Sequence, residues 1–148
     1  MKNELRKEYD KYQQIKTAYD AAEKSGSEEE MKQARADYVA WTESVNAKGK
    51  IYGRLYRLTE EAMERGNEYI DLNDCVWDRD VKELTDSFRE YGIEAFTFSS
   101  GWSGAAETAW LFTKNGCTLE GLIEINGPHK AFMSEEYEKA HGYLFRVH

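Results

Sequence analysis

Long hydrophobic runs are absent from this chain. Its apolar stretches are short, Ala109 to Phe112 being typical, and none approaches the ~20 residues needed to span a bilayer. The opening residues, MKNELRKEYD, carry no hydrophobic segment of the secretory kind. Cysteine is scarce. Cys75 and Cys117 stand far apart, and neither has a second Cys or a His at zinc-binding spacing. The expectation is a cytoplasmic protein with two reduced thiols serving as small core residues, and with no metal or cofactor. Histidine is confined to His129, His141 and His148. No two of them share a helix face, so a histidine-built centre is not expected, and only a fold that brought His129 or His141 beside Ser103 would suggest an enzyme. Excess positive charge is also missing. The formal net charge is −8, which excludes binding a phosphate backbone by bulk charge and makes basic surfaces the natural charged partners.

The charge is unevenly spread. Residues 1–66 hold 13 Lys/Arg and 13 Asp/Glu, whereas residues 67–148 hold 7 and 15, so the second part carries the whole imbalance. The character of the chain changes at the same place, Gly66. The reading is a helical hairpin arm over 1–66 and an acidic α/β unit over 67–148. The high charged fraction (32%) fits a thin-cored arm, and the aromatic content (14%) argues against disorder.

In the arm, Leu5, Tyr9, Tyr12, Ile15 and Tyr19 recur at spacings of three and four, one stripe of a helix. Ser25-Gly26 is a helix stop. Ser27 through Glu30 then fits a capping box, in which the Ser27 hydroxyl accepts from the Glu30 amide and the Glu30 carboxylate reaches back. A second helix is expected to run unbroken from Glu28 to Arg65. Its stripe passes through Met31, Ala34, Tyr38, Trp41 and Val45 and shifts to Ile51, Leu55, Leu58 and Ala62. Gly49 and Gly53 sit at the shift, as chance glycines, as a kink or as a place of close backbone approach. Helix 1 covers only the first part of such a helix, so the rest requires another partner, most simply the rear unit. The seven aromatics of the arm suit a thin core, and self-association through the arm would also use them.

In the rear unit, residues 68–72 form a candidate strand. Val81, Leu84, Phe88 and Tyr91 have helical spacing, capped by Asp80 and ended by Gly92. Residues 93–99, 117–125 and 143–147 read as strands, with a helix over 103–113 that permits a parallel crossover from the first to the second. Asn126-Gly127-Pro128 reads as a turn and 134–140 as one or two helical turns. The fold class is therefore α+β: a long two-helix hairpin packed on a small mixed sheet of three to four strands with two covering helices.

Two segments could carry function. Asp71, Asp74, Asp78, Asp80, Glu83 and Asp86 fall within 16 residues against Arg79 and Lys82 only. The spacing lacks the glycine and terminal glutamate of a calcium loop. The plain reading is a solvated, helix-capping face. The functional one is a surface complementary to a basic groove, with Trp77 as its apolar anchor. The second segment is Ser99, Ser100, Gly101, Trp102 and Ser103, where a strand ends and a helix begins. It reads as a turn with a cap, or as an anion pocket for a nucleotide signal. It lacks the Gly-Lys-Ser/Thr of a P-loop, and Gly104 comes one residue too early for a nucleophile elbow.

The stretches FTFSSGWSGAAETAWLF, NGCTLEGLIEIN and EEYEKAHGYLFRV resemble small accessory proteins carried by phages and conjugative elements of gut anaerobes. The likeness extends upstream through ERGNEYIDL. It carries no catalytic residue over. What it implies is a setting in which inhibitors of host defence, anti-CRISPR proteins among them, and regulators of transfer are common. Composition and resemblance together give the expectation of a non-enzymatic inhibitor that occupies the basic nucleic-acid-binding surface of a defence effector, with no direct nucleic-acid or membrane binding of its own.

Overall fold

A computed structural model describes residues 4–73 and 76–148. The chain divides into two compact units, Glu4–Arg57 and a second that includes Leu58–His148. The division falls inside a helix, eight residues before Arg65 and ahead of the Gly66 boundary that composition suggests.

The first unit contains α1 (Glu4–Ser25), α2 (Glu28–Ala47) and the start of α3 (Lys50–Arg65). Gly26 takes φ +68 at the end of α1, the left-handed conformation that glycine adopts without penalty. Ser27 caps α2, its hydroxyl accepting from the Glu30 amide at 3.4 Å. Glu30 reaches back to the Ser25 hydroxyl (2.7 Å) instead of the Ser27 amide. The expected unbroken helix over 28–65 is two helices. Gly49 takes φ +99 and its amide turns back to the Asn46 carbonyl, so α2 ends and α3 starts afresh. A glycine in this conformation terminates a helix by its own geometry, and that overrides the lack of proline. Gly53 sits in open space, so it serves no close approach.

The core of this unit is thin. Leu5, Ala22, Ala34, Val45, Tyr52 and Leu55 are buried, and Trp41 joins Tyr12 (5.1 Å between ring centres) to Tyr56 (5.3 Å, edge-on). At its centre is a carboxylate. Glu8 is buried and accepts from Trp41 Nε1 at 3.1 Å and Tyr52 OH at 3.0 Å, with Lys48 Nζ at 3.5 Å. Buried charges persist only when paired and hydrogen-bonded, and Glu8 has both kinds of partner.

The second unit is a four-stranded sheet in the order β1-β2-β4-β3. The strands are β1 (Ile70–Leu72), β2 (Ala95–Phe98), β3 (Cys117–Lys130) and β4 (Tyr137–Val147). With α4 (Val81–Glu90) and α5 (Ala105–Lys114), they complete the mixed-sheet α+β fold. β1 and β2 are parallel neighbours joined through α4, while β2–β4 and β4–β3 are antiparallel. β2 and β3 therefore run the same way but are not neighbours, because β4 lies between them; the crossover from 93–99 to 117–125 spans an intervening strand. Phe88 of α4 and Phe112 of α5 both reach Phe96 of β2, at 4.9 Å each, so the two helices cover the same sheet face.

Two local expectations fail. Residues 134–140 are not helical, since β4 begins at Tyr137. Glu, Lys and Ala favour helix, but pairing along β3 from Tyr137 onward satisfies the backbone and wins. Asn126-Gly127-Pro128 is not a chain-reversing turn; it lies within β3 at a shift of register. Bulges accept glycine and proline, and a Cβ on Gly127 would sit 3.0 Å from the Glu138 carbonyl. Asn126 ties this bulge to the end of α3. Its backbone exchanges two 2.9 Å bonds with the Asn67 side chain, and its own Nδ2 donates to the Arg65 carbonyl. Among the described residues no helix is long and apolar enough to cross a membrane, and no three His, Cys, Asp or Glu side chains are placed to hold a metal ion.

Candidate functional site

The two candidate segments meet at one end of the sheet. In open sheets, ligands and partners commonly engage the loops at the carboxyl ends of parallel strands. Here the described residues that follow those strand ends include 76–80 and 99–104. Asp71 on β1 ties that strand to the end of β2, accepting from Thr97 Oγ1 at 2.7 Å and from Ser99 Oγ, just past the strand, at 2.6 Å, while the Ser99 amide donates to the Leu72 carbonyl at 3.1 Å. Higher up, Thr108 of α5 donates to Asp78 Oδ1 at 2.8 Å and also reaches the Gly104 carbonyl at 3.2 Å. The indole of Trp102 folds directly over Gly104, where a Cβ would collide with it. Thr108 is thus the point on which the Trp77-Asp78 and Trp102-Gly104 segments converge.

Above this polar floor the surface is aromatic and acidic. Trp77 is 56% exposed and Trp102 44%. Arg79 lies 5.9 Å from the Trp77 ring. Asp78, Glu83 and Glu107 are exposed and Asp80 is half-buried.

The acidic run does not form one patch. Asp71 is buried in the sheet and cannot touch a partner; burial pushes its carboxyl above the ordinary value, opposed by its two hydroxyl donors and by Arg65. Asp74 lies outside the described residues. Asp86 is held between Lys82 (2.8 Å) and Arg89 (3.2 Å), and the hydrogen bond from Lys82 draws its carboxyl below the usual range. That Arg89 is itself structural, bonding the His148 and Asn115 carbonyls. Asp80 has Arg79 at 4.0 Å. Of the expected residues, Trp77, Asp78 and Glu83 remain exposed, and Glu107 is exposed on the first turn of α5.

The Ser99–Ser103 turn is also not built as expected. Ser103 does not cap the helix; α5 begins at Ala105 with Gly104 as its cap residue and no side-chain bond. The hydroxyl proton of Ser99 is committed to Asp71. An anion at this helix start would meet Asp78 and Glu107, which offset the favourable helix dipole. His129 and His141 lie exposed on β3 and β4, and among the described residues no hydrogen bond joins either of them to Ser103.

Sequence reasoning missed Thr108 and Trp110. The signal was present, since Thr108 and Phe112 are the buried i, i+4 pair of α5. Trp110, two residues from each, must then face outward; it is 58% exposed, with Lys114 Nζ 4.4 Å from its ring.

The protonation of Asp71 can be tested. Its folded carboxyl titrates above the unfolded value of 3.8. The folded state therefore takes up a proton before the unfolded one, and stability falls as pH rises through the folded value. Asp71→Asn mimics the protonated form, and the hydroxyls of Thr97 and Ser99 can rotate to meet it. The variant is expected to melt above the parent at pH 7, with the gap closing as pH falls toward 4. Thermal melts at a series of pH values check this; a variant that melts lower at pH 7 shows that the ionised form is the better fit.

Residues 54–147 match the family model of a domain of unknown function (DUF7698). No curated protein and no solved structure matches the chain.

Proposed function

The chain belongs to the DUF7698 family, and we propose that it is a non-enzymatic protein-binding module whose docking surface is formed by residues 76–80 and 99–104, which follow β1 and β2 in sequence. The observation that carries this reading is the exposure of two indoles, Trp77 and Trp102, on segments that converge on Thr108. Tryptophan is the residue most often found as an interface anchor, because it removes much apolar area from water at small entropic cost. Holding it exposed beside a hydrogen-bonded floor avoids much of the ordering cost of binding. Asp78, next to Trp77, and the exposed Glu83 and Glu107 on the first turns of α4 and α5 suit a basic partner, with charge steering the encounter and the aromatic rings supplying affinity. The sharpest form of this reading is an anti-defence protein, such as an anti-CRISPR inhibitor, that covers the basic nucleic-acid-binding surface of an effector. The support for that form is the resemblance to proteins of mobile elements together with the acidic rear unit.

The test is quantitative capture with three baits: the parent chain, Trp77→Ala with Trp102→Ala, and Asp78→Lys with Glu83→Lys, all confirmed folded by circular dichroism. Basic proteins retained by the parent are expected to fall about 30-fold or more on both variants, the size of one lost anchor. Recovery of the same proteins at the same level on all three baits removes the reading. A rise in melting temperature with nucleotides, with no protein captured, replaces it with ligand binding at the Ser99–Ser103 turn.

A further inference from the structure

The most exposed apolar residues described are neither in the loops above nor in the core. Phe132 and Met133, each 92% exposed, stand at the tip of the β3–β4 hairpin. The tip is an ordered turn. The Ala131 amide donates to the Glu136 carbonyl at 2.9 Å, the Ser134 amide to the Ala131 carbonyl at 3.0 Å, and the Glu136 amide to Ser134 Oγ at 3.0 Å. Met133 takes φ +55, a left-handed conformation unusual for its type. Such a conformation costs free energy, and two neighbouring large apolar side chains in water add to it. Glu135 and Glu136 follow at once. Lys130 answers the first of them, at 3.4 Å, which leaves the tip acidic.

The complementary feature lies in the helical unit. Between α1 and α2 is a cleft of about 380 Å³ lined by Tyr12, Ile15, Lys16, Tyr19, Arg35 and Tyr38. Its volume is in the range of small binding sites. Four of its six lining residues are aromatic or aliphatic, and both charged ones are basic. Neither Lys16 nor Arg35 enters an ion pair among the described residues of this unit. On a chain of net charge −8, an apolar cleft with a basic rim matches an apolar tip with an acidic flank.

We propose that the chain self-associates by inserting the Phe132-Met133 tip of one copy into the α1–α2 cleft of another, with Glu135 and Glu136 facing Lys16 and Arg35. The contact joins two different surfaces. Two copies that exchange tips close a dimer with two such contacts, and copies that cannot exchange form longer chains. The proposal uses neither Trp77 nor Trp102, so it stands or falls apart from the docking surface described above.

Sedimentation velocity over a concentration series tests it. The parent is expected to show a concentration-dependent species larger than a monomer. Phe132→Ser with Met133→Ser should weaken the apparent dissociation constant about 30-fold or more, the loss associated with an anchor residue. These side chains are solvent-exposed, so the fold is not at stake. A charge-swap pair supplies the decisive arm. Glu135→Lys with Glu136→Lys puts a basic tip against a basic cleft, and Lys16→Glu with Arg35→Glu puts an acidic tip against an acidic cleft. Each is expected to be monomeric alone, while their mixture regains association, since every tip then meets a cleft of opposite charge. A parent that stays monomeric to millimolar concentration overturns the proposal. So does self-association that the tip variant leaves intact, because the contact then lies elsewhere, and so does a mixture that fails to associate.

Discussion

Glu8→Ala is expected to destabilise the helical unit by about 3 kcal/mol, among the largest effects of any single substitution there. The carboxylate is 3% exposed and links all three helices, taking hydrogen bonds from Trp41 on α2 and Tyr52 on α3, with Lys48 of the α2–α3 junction at 3.5 Å. Removing it deletes little apolar packing. The cost arises because Trp41 Nε1 and Tyr52 OH lose their acceptor in a site that water enters poorly, Tyr52 being fully buried. Glu8→Gln separates hydrogen bonding from charge. It keeps one carbonyl acceptor and gives up the attraction to Lys48, so about half the loss is expected. Unfolding in urea followed by tryptophan emission gives the comparison, and hydrogen exchange on α1 locates it. If Glu8→Ala unfolds within ~0.5 kcal/mol of the parent, the carboxylate is a spectator. If Glu8→Gln is as damaging as Glu8→Ala, the ion pair rather than the hydrogen bonds holds the helices.

Glu8 also shows where sequence patterning stops being informative. The stripe read on α1 consists of apolar and aromatic residues, and Leu5 on it is indeed buried; Glu8, three residues after Leu5 and four before Tyr12, lies on the same face and is buried almost as deeply, although its charge left it out of the stripe. A carboxylate becomes a core residue only when donors from distant positions, here 33 and 44 residues away, arrive around it. No local signal announces that. Local signals did locate what is locally determined: the Gly26 stop, the Ser27 cap, and the Val81, Leu84, Phe88 stripe of α4. They failed where tertiary pairing decides. Residues 137–140 follow their neighbour strand against helical propensity, and Asn126-Gly127-Pro128 uses turn chemistry to build a bulge. The candidate site divides the same way. The aspartates are legible as a cluster in sequence, yet Asp71 sits on a strand whose both faces are covered, while Asp86 is answered by basic residues on its own helix. Charge in sequence is not charge on a surface until the fold has assigned each side chain a neighbour.

The same dependence on convergence makes Phe96→Ala the most damaging change expected in the rear unit, at about 3–5 kcal/mol. Phe96 is fully buried at the middle of β2 and meets three rings: Phe88 at 4.9 Å, Phe112 at 4.9 Å and Phe145, stacked, at 5.4 Å. One side chain thus joins α4, α5, β2 and β4. Truncation removes the apolar area and leaves a cavity walled by three rings, each held by a different element, so the site cannot collapse without moving one of them. Phe96→Leu retains most of the volume and should cost far less. Domains of this size are stable by only ~5–15 kcal/mol, so the alanine variant loses a large share of that margin. The proposed docking residues 76–80 and 99–104 follow β1 and β2 in sequence, and β1 is three residues long, paired at Ile70–Phe96 through Leu72–Phe98. The Asp71–Ser99 link lies along that pairing. Phe96→Ala is therefore expected to raise hydrogen exchange first at Ser99, whose amide donates to Leu72, before the cooperative unfolding of the β3–β4 pair. Exchange that rises equally in both regions shows that the sheet opens as one piece, and that the loops are no looser than the core beneath them.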